Sequence, residues 1–209
     1  MYQIIHSEDK FISDFLNSAI PNFYKEIAFF ARDNSDNLFL KYANERSLAS
    51  QFVNGIIRND NDWNISAIQE YTTEFKEEKR YGRPDIFLKC GENVIYIECK
   101  YDREKAGNGN HWKPEKWVEW DNSIYNKVLA YYNTEKKDLI KVTGGYYIMT
   151  MAFHLIAGSE ITHEEEAMEN MIKDKIIFDR DWYYTFNNKI FSNGKASYGL
   201  EVYGTFKKM

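Results

Sequence analysis

The sequence contains no run of about 18 consecutive apolar residues, which is the length that a membrane-spanning helix requires. It also contains no basic N-terminal segment followed by a short apolar stretch, which is the pattern of a secretory signal peptide. These two absences predict a cytoplasmic protein that has no membrane partner.

Cysteine and proline are scarce, with 2 cysteines and 3 prolines among 209 residues. Cys90 and Cys99 lie on a predicted hairpin about six residue pairs, or about 20 Å, apart, so they cannot form a disulfide. No repeat or Pro/Gly/Ser-rich linker divides the chain, and 44% hydrophobic content is enough for a sizeable core. We predict one domain over 1–209, with a core at about 40–153, a helical addition over 1–39, and a C-terminal helix and β-rich addition over 154–209.

The chain also lacks an excess of positive charge, since its net charge is −5. This argues against a protein that coats nucleic acid, because neutralisation of phosphates dominates such binding. It does not exclude an enzyme with a locally positive cleft. One predicted loop, 101–120, carries several cations and three tryptophans that either stack on bases or pack in the next helix; the cations are Arg103, Lys105, Lys113 and Lys116.

A β-hairpin is predicted over residues 84–101. Two runs rich in β-branched and aromatic residues, 84–90 and 93–101, flank Gly91-Glu92, and glycine stands at the first central position, as a type II′ turn requires. A two-residue turn sets the register, so Cys90 faces Asn93 and, further along, Asp85 faces Glu98. One side of the hairpin is then uniformly apolar and is predicted to be core; it carries Ile86, Leu88, Cys90, Ile95, Ile97 and Cys99.

The other side of the hairpin gathers Asp85, Glu98 and Lys100 at its open end. Like charges opposite each other destabilise a strand pair, so two retained acids require a compensating cation. Carboxylate oxygens are hard ligands, which favours Mg²⁺, or Mn²⁺ as its substitute, over zinc. The alternative is a surface charge cluster in which Lys100 forms an ordinary ion pair with a neighbouring glutamate.

Pro84-Asp85 followed by Glu98-Cys99-Lys100 resembles the motif of the PD-(D/E)XK nuclease superfamily, the restriction-endonuclease-like phosphodiesterases. The resemblance covers about 40–153. It implies an α/β core of a helix, a three-stranded meander, a helix and a strand, with a mixed central sheet flanked by helices. It also implies that Asp85, Glu98 and the main-chain carbonyl of Cys99 ligate a metal, and that Lys100 orients or activates the attacking water.

A glutamate on the first core helix often completes the metal site in that superfamily. Residues 42–57 have apolar side chains at helical spacing, and Glu45 resembles the family glutamate, acting directly or through water. The alternative is a solvated first-turn acid that favours the helix dipole. A second helix is predicted over 115–133, where Lys127 stands in place of a glutamine common in the family and either contacts phosphate or is solvated.

The remaining segments are predicted from hydrophobic periodicity. Residues 8–32 read as two amphipathic helices separated at Pro21. Residues 146–153 read as a buried parallel strand that ends at His154. A short helix is predicted near 163–173, and the aromatic segment 176–206 is predicted to be β-rich and to offer a surface for a homodimer.

These patterns predict a Mg²⁺-dependent nuclease, and the resemblance to the superfamily implies that it acts on DNA as an endonuclease. The motif itself does not distinguish DNA from RNA, or duplex from single-stranded or branched DNA. The alternative is a catalytically silent binding or immunity module that keeps this fold to engage a protein or nucleic acid.

Overall fold

The computed structural model describes residues 2–5, 7–33, 43–59, 64–69, 73–75, 80–82, 84–105, 126, 143–158, 182–185 and 197–209. Two helices lie in these ranges, α1 (Lys10–Asp33) and α2 (Glu45–Asn59). The strands are β1 (Tyr2–Ile5), β2 (Ile65–Gln69), β3 (Thr73–Phe75), β4 (Arg80–Gly82), β5 (Ile86–Cys90), β6 (Asn93–Lys105), β7 (Tyr146–Gly158), β8 (Trp182–Thr185), β9 (Ser197–Gly204) and β10 (Phe206–Lys208).

Eight of these strands form one mixed sheet in the order β1-β8-β9-β7-β6-β5-β2, with β10 also paired to β7. Strands β2, β5 and β6 follow one another as an antiparallel meander, and β6 pairs with β7 in parallel. The predicted α/β class and the predicted parallel strand are therefore confirmed. Strands β3 and β4 form a separate two-stranded sheet.

The hairpin of β5 and β6 has the predicted register, with Cys90 opposite Asn93 and Ile86 opposite Ile97. Gly91 has a φ of 57°, the positive value that the first central position of a type II′ turn needs. The strand after the turn is longer than predicted, because β6 stays paired with β7 as far as Lys105 opposite Ala157. The prediction that a loop begins at residue 101 is therefore wrong, and Arg103 lies on the strand.

The hydrophobic core lies between the two helices and one face of the sheet. The apolar face predicted for the hairpin is confirmed, since its six residues are all 0–1% exposed and pack with buried residues of α1 and α2. The opposite face of the hairpin is also buried near the turn, where the rings of Phe87 and Tyr96 meet edge-on with centroids 5.4 Å apart. Both faces of these strands are therefore buried at Phe87 and Tyr96, whereas Lys89, nearer the turn, is exposed.

Helix α1 is a single helix, and the prediction of two helices separated at Pro21 is wrong. Proline removes one helical hydrogen bond and usually kinks or ends a helix. Here Phe15, Ile20, Phe23 and Ile27 are all buried on either side of Pro21. Packing of both halves against the same core offsets the lost hydrogen bond, which the sequence pattern alone does not reveal.

His154 was predicted to lie at a strand end, and this is also wrong. Strand β7 continues to Gly158, so His154 lies within it, opposite Glu201 of β9, and is buried. The strands at the two ends of the chain explain the extension, because β9 pairs with β7 over Ala152–Gly158 and β8 joins β9 to β1. Within the described residues, no helix is both long and apolar enough to cross a membrane.

Gly55 marks the point where α2 crosses α1. A Cβ at this position would lie 2.8 Å from both the Cα and the N of Phe23, which are backbone atoms that cannot rotate away. Helix propensity alone predicts that Gly55→Ala stabilises the protein by about 0.5–1 kcal/mol. Because the helices must separate, we instead expect Gly55→Ala to lower the free energy of unfolding by about 1–3 kcal/mol.

Urea denaturation of Gly55→Ala measures this effect. Asn54→Ala is the matched control, because the half-buried Asn54 is the preceding residue of the same helix. We expect the control to change the free energy of unfolding much less. A Gly55→Ala protein as stable as the wild type would show that the crossing tolerates a side chain.

Candidate functional site

Asp85 lies at the bend that leads into β5, just beyond the last pair of the hairpin ladder. Its Oδ2 accepts a hydrogen bond of 2.7 Å from the backbone N–H of Cys99. This bond ties the carboxylate to β6 at the open end of the hairpin. The side chain is half-buried, so its carboxylate borders solvent while its position is set by the strand.

Pro84 interrupts the regular hydrogen bonding of the hairpin next to Asp85. In an antiparallel ladder, every second pair of opposed residues exchanges two backbone hydrogen bonds. In this hairpin the hydrogen-bonded pairs begin with Cys90–Asn93 at the turn and continue to Ile86–Ile97. The next such pair would join Pro84 to Cys99, but proline has no N–H to donate. The Cys99 carbonyl therefore receives no hydrogen bond from Pro84, while the Cys99 N–H donates to Asp85 Oδ2.

Glu98 and Lys100 lie two residues apart on β6 and share one face of the sheet. Glu98 is only 1% exposed, whereas the Lys100 side chain is 35% exposed. Lys100 Nζ lies 3.8 Å from Glu98 Oε1. A buried carboxylate is costly unless a cation or hydrogen-bond donors stabilise it, and Lys100 provides positive charge at the solvent side.

Glu45 is the first residue of α2. The helix start is held by a reciprocal pair of hydrogen bonds, in which the Asn44 N–H donates to Ser47 Oγ at 2.9 Å and the Ser47 N–H donates to Asn44 Oδ1 at 3.0 Å. This capping places Glu45 so that its Oε2 lies 3.9 Å from Lys100 Nζ. The ammonium of Lys100 therefore lies close to carboxylates from a helix and from a strand.

The four charged side chains converge around Cys99. Burial raises the pKa of the Cys99 thiol well above its usual range, and the negative charges of Asp85, Glu45 and Glu98 raise it further against the opposing effect of Lys100. The thiol is free of any disulfide and faces the hydrophobic core. Cys99 therefore stays a neutral thiol, and only its main-chain carbonyl is suited to a metal.

The donor set of this cluster fits a hard divalent cation by chemistry. Three carboxylates and a main-chain carbonyl are oxygen ligands of the kind that Mg²⁺ prefers. When ionised, the three carboxylates exceed the single ammonium of Lys100 by two negative charges, the charge that one such cation balances. As the side chains lie, however, no three His, Cys, Asp or Glu residues of the described ranges are grouped closely enough to hold a metal ion. Metal binding would therefore need the carboxylates to close in, with Lys100 moving away from between Glu45 and Glu98.

A pocket of about 240 Å³ adjoins the cluster. Its lining comes from the first turns of α2, the end of β2 and the bend before β5, namely Glu45, Arg46, Ala49, Ser50, Gln69 and Asp85. Glu45 and Asp85 thus belong both to the cluster and to the pocket. Arg46, Ser50 and Gln69 are not among the residues predicted from the sequence, although the spacing of Arg46 and Ser50 at i and i+4 already places them on one side of the helix.

Several predicted contact residues lie outside the described residues. These are residues 106–120 of the predicted loop, with its three tryptophans and with Lys113 and Lys116, the helix over 115–133 apart from residue 126, with Lys127, and the helix near 163–173. The five residues of the predicted metal and catalytic set are all described, and the structure brings them together. These are Glu45, Asp85, Glu98, Cys99 and Lys100.

The function of this site has to be inferred from the chemistry of its residues and not from similarity to a known protein. The cluster combines a buried acid, two partly exposed acids and a lysine beside a pocket that opens next to them. Comparisons of the chain with protein families, with curated proteins and with solved structures found no match in any of the three.

Proposed function

We propose that this protein is a metal-dependent nuclease that hydrolyses phosphodiester bonds and acts on DNA as an endonuclease. The specific fold we propose is the restriction-endonuclease-like core of the PD-(D/E)XK superfamily, with Mg²⁺ as the cofactor. The observation that carries the proposal is the convergence of Glu45, Asp85, Glu98 and Lys100 at the open end of one hairpin. The antiparallel meander followed by a parallel strand supports it.

The proposed metal ligands are carboxylates of Asp85, Glu98 and Glu45 and the carbonyl of Cys99. The hydrogen bond from the Cys99 N–H engages Asp85 Oδ2 and leaves Oδ1 as a ligand atom. A bound Mg²⁺ supplies a water of lowered pKa and a positive charge beside the phosphate. Glu98 is buried on a central strand, unlike the partly exposed Glu45 and Asp85.

Lys100 has two roles in this proposal. Its ammonium, which is partly exposed at the end of the buried acid, orients the attacking water beside the phosphorus. The same positive charge stabilises the additional negative charge that develops on the phosphoryl oxygens in the transition state. A phosphodiester resists hydrolysis largely because its negative charge repels hydroxide, so a lysine at this point acts on the main barrier.

A second candidate function is a catalytically silent nuclease-fold module that binds a protein or nucleic acid, as an immunity protein does. Two observations favour it: Lys100 already lies between two carboxylates, and no described group of three potential ligands is closely spaced. In that case the cluster would be an internal ion-pair network. Such a module would bind its partner without cleaving it and without a requirement for divalent metal.

The decisive experiment incubates the purified protein with supercoiled plasmid, linear duplex DNA, single-stranded DNA and RNA, each with Mg²⁺, Mn²⁺ or EDTA. We expect cleavage of supercoiled plasmid in Mg²⁺ and in Mn²⁺, and none in EDTA, because the carboxylates alone would repel the phosphate. The Glu98→Gln variant controls for contaminating nuclease, since it removes one proposed ligand with little change of shape.

Each outcome bears on the proposal. Metal-dependent cutting that Glu98→Gln lacks supports the nuclease and identifies its substrate. Cutting that persists undiminished in EDTA would contradict the metal-dependent mechanism. A folded protein that cuts none of the four substrates would favour the binding module.

A further inference from the structure

Among the described residues that line the pocket beside the charged cluster, Arg46 carries a positive charge. Residues four apart lie on the same side of a helix, so α2 contributes two rows to the pocket. One row is Glu45 with Ala49, and the other is Arg46 with Ser50. The first row is continuous with the proposed metal ligands, and the second offers a positive charge and a hydroxyl that the proposed hydrolysis does not use.

The pocket extends from the cluster toward the edge of the sheet. Gln69 is the last residue of β2 and pairs with Ile86, the residue after Asp85. Strand β2 lies on the side of β5 away from β6, which carries Glu98 and Lys100. A linear polymer bound over the proposed metal ligands and running past Asp85 would therefore enter this pocket.

Arg46 and Ser50 of the second row, and Gln69 of the neighbouring strand β2, carry N–H or O–H groups that can donate hydrogen bonds. Ser50 Oγ lies 3.3 Å from Gln69 Oε1, in a hydrogen bond in which the hydroxyl donates to the amide oxygen. Because Oε1 accepts this bond, the two N–H donors on Nε2 of Gln69 point away from Ser50. Arg46 is an exposed residue of the pocket lining.

The size of the pocket limits what it can hold. A volume of about 240 Å³ is smaller than the roughly 300–1,000 Å³ of pockets that enclose whole small-molecule ligands. An extruded nucleotide with its base would need a deeper site, as in enzymes that flip a base out of the helix. One phosphate and its adjoining sugar suit the space better.

We propose that Arg46 binds the backbone phosphate next to the one being cleaved, with Gln69 donating a second hydrogen bond to the same sugar–phosphate unit. The guanidinium presents paired N–H donors that match two phosphate oxygens, and such charge-assisted bonds are stronger than neutral ones. Ser50 acts as a positioning residue, because its hydroxyl orients the Gln69 amide. This inference rests on the proposed function for the identity of the ligand, a nucleic-acid backbone.

The test measures binding and cleavage separately. A short fluorescein-labelled DNA duplex is titrated in Mg²⁺ with the Lys100→Met protein, which keeps the proposed metal ligands, and fluorescence polarisation gives Kd at several salt concentrations. The same titration is repeated with Arg46→Gln, Arg46→Lys and Lys89→Gln added to Lys100→Met. Lys89 is the matched control, because it is an exposed cation on β5 near the turn, at the end of the strand away from Asp85.

We expect Arg46→Gln to raise Kd about tenfold, the loss of one charge-assisted contact. It should also reduce the slope of log Kd against log salt by about 0.9, the value for one phosphate contact on duplex DNA. Arg46→Lys keeps the charge and should restore the salt slope while recovering only part of the affinity. Lys89→Gln should leave both quantities unchanged, and in the protein with Lys100 intact Arg46→Gln should raise KM more than it lowers kcat.

The outcomes separate this inference from the proposed function. If the wild type cleaves DNA and Arg46→Gln leaves Kd and the salt slope unchanged, the phosphate site is wrong and the nuclease stands. If the wild type cleaves nothing but duplex binding depends on Arg46, the nuclease is wrong and the phosphate site is supported. If the duplex does not bind at all, or if Lys89→Gln weakens binding as much as Arg46→Gln does, the site is overturned.

Discussion

Replacing Lys100 with methionine is expected to reduce the rate of phosphodiester cleavage about a hundredfold to a thousandfold, the range for removing one group that stabilises a developing charge. Methionine retains much of the length and apolar character of the lysine stem, so the change removes mainly the ammonium. That ammonium lies 3.8 Å from Glu98 Oε1 and 3.9 Å from Glu45 Oε2, at the centre of the proposed reaction site. Single-turnover cleavage of plasmid in Mg²⁺ is the measurement.

The matched control is Lys89→Met, which removes an exposed lysine from the same hairpin. It tests whether the loss of any positive charge on β5 and β6 weakens attraction to the substrate. We expect its rate to stay within a few-fold of the wild-type rate. Cleavage by Lys100→Met at the wild-type rate, with Lys89→Met equally active, would reject the assigned role of Lys100.

Glu45 gives a graded comparison within the same experiment. Its side chain is 36% exposed and stands at the start of a helix, whereas the Glu98 side chain is 2% exposed on a central strand. A ligand that acts from the solvent side, directly or through water, should be less critical than a buried one. We therefore expect Glu45→Gln to lose less activity than Glu98→Gln or Asp85→Asn.

The hairpin and its charged end were predictable because their determinants are local. A two-residue turn with glycine at a position of positive φ sets the register, and side-chain alternation then assigns every residue of 86–100 to a face. The observed pairing of Cys90 with Asn93 and the φ of 57° at Gly91 follow from these rules. Asp85, Glu98 and Lys100 are close in space for the same reason.

The errors arose where tertiary contacts override local signals. Pro21 is a strong helix breaker in isolation, but buried residues on both sides of it hold α1 together. The polar residues from Asp102 to Lys105 resemble the start of a loop, yet parallel pairing with β7 keeps them in a strand. In the sequence, His154 resembles a strand end, because the residues around it do not indicate that β7 pairs with β9, which lies far along the chain.

The pocket beyond Asp85 could not be predicted for a related reason. It is formed where α2, β2 and the bend before β5 meet, and these elements are separated in the sequence. The i and i+4 spacing places Arg46 and Ser50 on one side of the helix, but nothing in the sequence says that Gln69 approaches them. Sites assembled from distant segments require the fold before their residues can be grouped.

Addition of Mn²⁺ or Mg²⁺ is expected to raise the melting temperature of the wild-type protein by about 5–10 °C once the metal reaches about 100 times its Kd. Binding to the folded state alone contributes about 2.7 kcal/mol at that excess. For a chain of this length, each kcal/mol shifts the melting temperature by roughly 2–4 °C. Differential scanning fluorimetry over a metal titration measures the effect, and EDTA should reverse it.

Three variants make this measurement specific to the cluster. Glu98→Gln and Asp85→Asn each remove a proposed ligand, so the metal-induced shift should shrink or vanish while the proteins remain folded. Lys100→Met should behave in the opposite way, because its ammonium and the metal ion compete for the carboxylates of Glu45 and Glu98. Its melting temperature without metal should fall, since Glu98 loses a neighbouring cation, and its metal-induced shift should equal or exceed that of the wild type.

The combination of results distinguishes catalysis from an internal ion-pair network. A nuclease site predicts that Lys100→Met binds metal at least as well as the wild type yet fails to cleave, because metal binding and water orientation depend on different side chains. A catalytically silent module predicts no metal-induced shift in the wild type. In that case Lys100→Met would still lower the melting temperature, because a buried acid beside a partly exposed lysine needs the lysine whether or not a metal ever binds.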